Sequence, residues 1–249
     1  MKQSKIFIYG KHAVSEALLH APQAVRKVHL AQSMDDKKLR ELIKKAGVPT
    51  EPLDERKATS QAEGGAPHQG VIALIALSGL VTPFEKFIER FVPTQDTCLV
   101  FLSEVQDPHN VGAIIRSAAA FGASAMLLSE QNQAGITGAV IKASAGAAFS
   151  MPLVVVPGTQ QALSKLKKAG VTIVGLAGEA PRSIHEERFA EPTLFVFGNE
   201  AHGIAPSAKA LCDYMLSVPI SSKAESLNVA AAAAVTLFAW STKHDRALQ

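Results

Sequence analysis

The chain has 249 residues, of which 47% are apolar and 19% charged, and a formal net charge of +3. This composition excludes an intrinsically disordered chain, and no apolar run is long enough to cross a bilayer. The opening Met1-Lys2-Gln3-Ser4-Lys5 has neither the apolar stretch nor the cleavage site of a signal peptide, so a cytoplasmic globular protein of one large or two modest domains is expected.

Short helices and strands alternate from residue 7 to 77. Residues 11–20 have the pattern of an amphipathic helix, 25–31 of a strand, and 35–46 of a charged helix closed by Gly47. An extended piece at 48–52 and a turn at Pro67-His68-Gln69-Gly70 precede a continuous apolar strand at 71–77. Residues 1–78 thus form a compact α/β unit. Gly79, Pro83 and Pro93 surround a short helix at 84–91, and 79–97 reads as a linker. A second unit, 98–249, opens with a strand at 98–102, a turn at Asp107-Pro108-His109 and a helix at 110–121. Strands follow at 125–128, 153–156, 171–176, 194–197 and 215–219, with helices at 137–145, 159–169, 206–211 and 228–240. Strands that are apolar on both faces and alternate with helices predict an α/β fold. Its sheet should be mainly parallel and covered on both sides.

Charge is unevenly distributed. Residues 1–93 carry 14 Lys+Arg against 10 Asp+Glu, a balance of +4, while residues 94–249 carry 11 against 12, a balance of −1. The pairs Arg26-Lys27, Lys37-Lys38, Lys44-Lys45 and Arg56-Lys57 all fall in the N-terminal unit. Any one pair suits an ordinary solvated face; four in one small domain suit an RNA-facing surface as well. Cys98 and Cys212 stand far apart with no Cys or His at metal-ligand spacing, so buried thiols are expected and no metal site.

A Rossmann domain would need a Gly-rich turn after its first strand, and the chain contains no G-x-G. Polar residues gather elsewhere, in three segments that each begin where an apolar run stops. They are Asn110-Val111-Gly112-Ala113-Ile114-Ile115-Arg116, Phe197-Gly198-Asn199-Glu200-Ala201-His202-Gly203 and Glu225-Ser226-Leu227-Asn228-Val229-Ala230. Strand ends of this kind are where ligands meet backbone in α/β proteins. Asn110 stands where an N-cap belongs, and Gly112 leaves room for a close approach. Arg116, in an Ala-rich helix, suits either a surface ion pair or a substrate contact. Ser226 and Asn228 flank Leu227 before the last helix; one of them caps it, or the free N–H groups there form part of a ligand site. His12, His68, His109 and His202 lack acid or Cys partners at a telling spacing and are expected in turns or satisfied in the core.

Together, N-x-G-x-x-x-R, F-G-N-E-x-x-G and S-L-N-V-A resemble, in that order, the signature motifs of the SpoU/TrmH branch of the SPOUT RNA methyltransferases, over about 98–240. The stretch from Tyr9-Gly10-Lys11-His12-Ala13-Val14 to His68-Gln69-Gly70-Val71 is similar to the small substrate-binding domain of the bacterial 23S ribosomal RNA guanosine 2'-O-methyltransferases. The resemblance implies a SPOUT-type α/β domain whose C-terminal segment threads a loop as a trefoil knot, a topology that no periodicity would suggest. It also implies a homodimer, S-adenosylmethionine as methyl donor and RNA as partner. By motif position Gly198, Asn199, Val218, Ile220 and Leu227 would contact the donor, with Leu176-Ala177-Gly178 as a further wall. Asn110, Arg116, Glu200, Ser226 and Asn228 would be the catalytic or RNA-contacting set, drawn partly from the other subunit. Arg116 would act as a base or, since arginine keeps its proton, orient the 2'-OH and adjacent phosphate while Asn110 and Glu200 hold it.

The loop Ser221-Ser222-Lys223-Ala224 departs from the glycine-containing form of the ribosomal guanosine enzymes, which leaves the substrate open. Methyl transfer to a ribose 2'-OH of structured RNA is expected, with 23S ribosomal RNA leading and transfer RNA as alternative. A non-catalytic RNA-binding relative and a nucleotide-dependent Rossmann enzyme are the competing classes. Intact motifs oppose the first, and the missing Gly-rich turn opposes the second.

Overall fold

The computed structural model describes residues 4–54 and 68–248; Arg56-Lys57 and Pro67 lie outside the described residues. Its N-terminal unit runs β1 (Lys5–Tyr9), α1 (Lys11–His20), β2 (Val25–Leu30), α2 (Lys37–Ala46), β3 (Thr50–Pro52) and β4 (Val71–Ala76). The strands form one sheet in the order β1-β4-β2-β3, antiparallel except for the β2–β3 pair. Alternation sets its packing: Ile6 and Ile8 of β1, Val28 of β2 and Ala73 and Ile75 of β4 join Val14, Leu18, Leu39 and Ile43 of the two helices in one core. Asp36 caps α2 by accepting from Leu39 N at 3.1 Å, and Gly47 ends it at φ 65°. The flanking lysines stay on the solvent side: Lys37, Lys38, Lys44 and Lys45 are exposed, as is Arg26, whereas Lys27 pairs with Glu51.

The segment expected as a linker is partly built into the second sheet. Val81–Pro83 forms β5, which pairs in parallel with β8, and Phe84–Ile88 forms α3 with Phe84 buried beneath it. Three residues before a helix are too short for a periodic signal, and Pro83 argues against a central strand; an edge strand tolerates it. The chain continues through β6 (Cys98–Leu102), α4 (Pro108–Ala120), β7 (Ala125–Ser129), α5 (Gly138–Ala143), β8 (Leu153–Val156), α6 (Thr159–Lys168), β9 (Thr172–Leu176), β10 (Thr193–Phe197), α7 (Pro206–Lys209), β11 (Tyr214–Leu216) and α8 (Val229–Ser241). Every pairing in the resulting sheet, ordered β11-β9-β10-β6-β7-β8-β5, is parallel.

Both faces of this sheet are buried, as its apolar strands required. Cys98, Val100, Leu102, Phe195 and Phe197 point to the side of α4, α5 and α8, while Leu99, Phe101, Leu194 and Val196 point to the side of α3, α6 and α7. Burial pushes the Cys98 thiol far above its ordinary value and that of half-buried Cys212 up to about 11, so both behave as inert packing groups. Among the described residues no helix is long and apolar enough to cross a membrane.

The C-terminus is tied down by a buried histidine that the motifs did not flag. His244 lies flat on Trp240, its Nδ1 is 3.0 Å from Asp96 Oδ1, and its Nε2 is 3.0 Å from the carbonyl of Phe189. The two units also touch directly. His12 Nε2 lies 3.0 Å from Ala145 O, and Gly138 is needed because a Cβ there would come within 2.9 Å of Phe7 O.

Candidate active site

Three loops leave the C-terminal ends of adjacent parallel strands β9, β10 and β11 and enclose a cleft of about 690 Å3 with the start of α8. A crevice at the carboxyl ends of an open parallel sheet is the usual ligand position in α/β proteins. All eight residues expected at the donor line it: Leu176, Ala177 and Gly178 after β9, Gly198 and Asn199 after β10, and Val218, Ile220 and Leu227 after β11. Ile220 and Leu227 are 40% and 39% exposed, so the cleft offers apolar side chains to an occupant.

The β10 loop is held closed by its own bonds. Asn199 N donates to Gly203 O (2.8 Å) and Gly203 N returns to Asn199 O (2.9 Å). The Asn199 side chain accepts from the backbone of Ala201 and His202, and its Nδ2 donates to Glu104 O at 3.0 Å. Asn199 therefore staples the loop through its amide. Gly198 has no alternative residue, because a Cβ would lie 2.1 Å from the Gly203 carbonyl carbon.

Three of the five residues expected to act in catalysis form a directional relay. Asn228 Oδ1 accepts from Ala230 N (2.8 Å) and Ala231 N (3.3 Å), which makes it the N-cap of α8. Its Nδ2 donates to Asn110 Oδ1 (2.9 Å), and Asn110 Nδ2 donates to Glu200 Oε1 (2.9 Å). Each amide is thereby oriented by the next, ending on a carboxylate beside the cleft. Asn110 is not the cap of its own helix: Asp107 takes that place, accepting from His109 N at 2.8 Å, and α4 begins at Pro108. Pro108 suits the first helical position, where no N–H is needed. Asn110 and Glu200, expected to hold Arg116, bond each other instead.

Ser226 lines the cleft, exposed. Arg116 does not line it. Six residues past Asn110 on a helix turning about 100° per residue, it faces another way, exposed and with no hydrogen bond or ion pair among the described residues.

Lys209 and Glu179 at the cleft wall escaped the sequence reading, because neither belongs to a motif. They form an ion pair at 3.4 Å. Glu179's own backbone N–H, and then Lys209, hold its carboxyl below the usual carboxylate range. Beside the cleft, Arg182 pairs with Glu187 (2.7 Å) and covers the Tyr214 ring at 4.7 Å. Burial, then the Glu187 charge, push that phenol up to about 12. His202 also lines the cleft; His68 sits in a turn with Nδ1 accepting from Gly70 N, and His109 is exposed in the first turn of α4.

The chain matches the SpoU rRNA Methylase family over residues 97–238 and the RNA 2'-O ribose methyltransferase substrate binding domain over 7–79. It is 34% identical over 236 residues to a 23S rRNA (guanosine-2'-O-)-methyltransferase RlmB of Pseudomonas putida, covering 93% of this chain and 94% of that one. The corresponding RlmB of Shewanella oneidensis is 32% identical over 241 residues, with coverage of 96% and 97%. Among solved structures, the SpoU methyltransferase AviRb from Streptomyces viridochromogenes in complex with AdoMet superposes with a TM-score of 0.84 at 25% identity, over 97% of this chain and 91% of that one. With its parallel sheet, its cleft at the strand ends and both family matches in agreement, this chain belongs to the SpoU rRNA methylase family.

Proposed function

We propose that the protein transfers a methyl group from S-adenosylmethionine to a ribose 2'-OH of ribosomal RNA, with 23S RNA as the substrate. The observation that carries this reading is the convergence of all eight expected donor residues on one cleft, joined by the Asn228–Asn110–Glu200 relay. The residues present fit the donor. Ile220, Leu227 and Val218 supply apolar walls for an adenine, and the β10 loop presents backbone held by Asn199. When bound, S-adenosylmethionine supplies an electrophilic methyl on a sulfonium.

The protein's own task is positional. A ribose hydroxyl is a weak nucleophile and must be held in line and relieved of its proton. Glu200 Oε1 is engaged by Asn110, while Oε2 has no hydrogen bond among the described residues and is available to accept one from the ribose. Arg116, with its planar fork of donors, orients the hydroxyl and the adjacent phosphate. Since it lies off the cleft of its own chain, it reaches the site of a second copy. An apolar groove of about 400 Å3 beside the cleft, containing Val218, Val235 and Phe238, supports that dimer; Val235 and Phe238 are 42% and 56% exposed.

The C-terminal knot belongs to the same reading. It is supported by Ser217 N donating to Arg182 O and Ile184 N to Ser217 O, both at 2.9 Å, which tie the loop after β9 to the segment leaving β11. Residues 1–78 would select the RNA and 98–249 carry out transfer, in the cytoplasm. The test is a map of 2'-O-methyl groups across total RNA with and without the gene, beside titration of the purified protein with S-adenosylmethionine. One ribosomal 2'-O-methyl should disappear, and donor binding should be measurable without RNA. An unchanged map, or a change confined to transfer RNA, overturns the ribosomal substrate; no donor binding overturns the enzyme.

A further inference from the structure

A second pocket, of about 210 Å3, lies where the two units meet. Tyr9, His12 and Gln69 line it from the N-terminal side, and Ile141, Lys142 and Ala145 from the methyltransferase side. Its shape is set before any ligand arrives. His12 bonds to Ala145 O across the junction, and Gly146 packs so closely that a Cβ would meet Glu16 Cγ at 2.7 Å. Left-handed backbone gathers at its rim, with Gly10 at φ 93°, Gln69 at 51°, Ala145 at 51° and Gly146 at 86°. Gln69 and Ala145 are two of only five non-glycine residues with positive φ among the described residues. Such backbone costs energy in an alanine or glutamine and gathers where a binding surface requires it.

Two polar groups here, on Gln69 and Lys142, face the pocket. Gln69 Oε1 accepts from Lys11 N at 3.0 Å, which fixes the amide and leaves Nε2 to donate. Lys142 is exposed and has no ion pair or hydrogen bond among the described residues. Tyr9 contributes an aromatic ring. A ring, an amide edge and an unpaired cation around a space of this size are what a single unstacked nucleotide requires.

The pocket also stands in a definite relation to the catalytic relay. One side of α5 and its end, at Val140, Ala143 and Ser144, packs against Gly112, where a Cβ would lie 2.4 Å from that of Ala143. Gly112 is two residues from Asn110. The other side of α5, at Ile141 and Lys142, lines the pocket. α5 thus lies between this pocket and α4, the helix that carries Asn110.

Resting on the reading of an RNA substrate, we infer that this inter-domain pocket binds a nucleotide of that RNA other than the methylated one. Its base lies against Tyr9 and is read by the Gln69 amide, and its phosphate pairs with Lys142. The junction is then a specificity element for the same reaction, and the N-terminal unit contributes shape as well as charge.

Filter binding of the full-length protein to a 23S ribosomal RNA transcript, at several salt concentrations, tests this. Lys142→Glu should weaken binding at least tenfold, and Lys142→Ala should lower the slope of log affinity against log salt by about one. Gln69→Ala should weaken binding severalfold without changing the slope. Lys168→Glu, an exposed charge reversal on α6, should stay within twofold of wild type, and all variants should keep donor affinity. If Lys142→Glu binds no more weakly than Lys168→Glu, the pocket is not a nucleotide site. A wild-type protein that binds donor yet neither prefers the transcript over unrelated RNA nor methylates it overturns the RNA reading itself, and this proposal with it.

Discussion

The donor cleft and the outer face of α4 and α8 treat their side chains in opposite ways. At the cleft, Asn199 and Asn228 in its lining and Asn110 bonded behind Asn228 are all held within the chain, and Gly198 is locked against Gly203. On the outer face, Arg116 stands free among the described residues, and Val235 and Phe238 are open to solvent although Phe238 meets Phe121 edge to face. The cleft has to present one shape to a small ligand, and internal bonds set that shape beforehand. In the dimer proposed above, a face that a second molecule would complete keeps its groups open until then.

The comparison breaks most visibly at Gly198. Gly198→Ala puts a methyl 2.1 Å from backbone that cannot yield without opening the Asn199–Gly203 bridge. Donor binding by titration calorimetry should fall below detection. Retained affinity would mean the β10 loop is softer than its bonds suggest.

Arg116→Ala tests the open face. Methyl transfer should drop on the order of a hundredfold with donor affinity nearly unchanged. Mixing that variant with Leu227→Arg, whose charge blocks the donor wall, should restore about a quarter of the activity if subunits exchange freely, since half the dimers then hold one complete site. No recovery would return Arg116 to its own subunit's chemistry.

The smallest effect belongs to the relay. Asn228→Ala removes the cap of α8 and should lower stability by about 1 kcal/mol in chemical denaturation. It should also weaken transfer more than Asn228→Ser or Asn228→Asp, which keep a capping oxygen. Equal activity in all three would make the cap incidental to transfer, and activity at the wild-type level in Asn228→Asp, which keeps the cap but has no amide donor, would make the Asn228–Asn110 bond incidental.

Much of this could be read from the residues in order. Strands such as Cys98–Leu102, apolar at every position, announced a sheet buried on both faces, and the small polar segments after Phe197 and before Val229 marked the cleft. Local signals failed where a neighbour decided the outcome. Asp107, three residues upstream, took the helix cap in place of Asn110 and freed Asn110 for a partner ninety residues away. Val81–Pro83 became a strand only because β8 offered an edge.

Sequence by itself determined most of the elements and the two-faced parallel sheet, because hydrophobic periodicity acts over a few residues, while the membership of the cleft followed from the resemblance of its motifs to the family. Tertiary structure alone decided which amide faces which carboxylate, that Arg116 lies off its own cleft, and that α5 packs between α4 and a second pocket. Those relations join residues as far apart in the chain as Asn110 and Asn228 or His12 and Ala145. Such contacts are set by packing across the whole fold, which leaves no periodic trace in either segment.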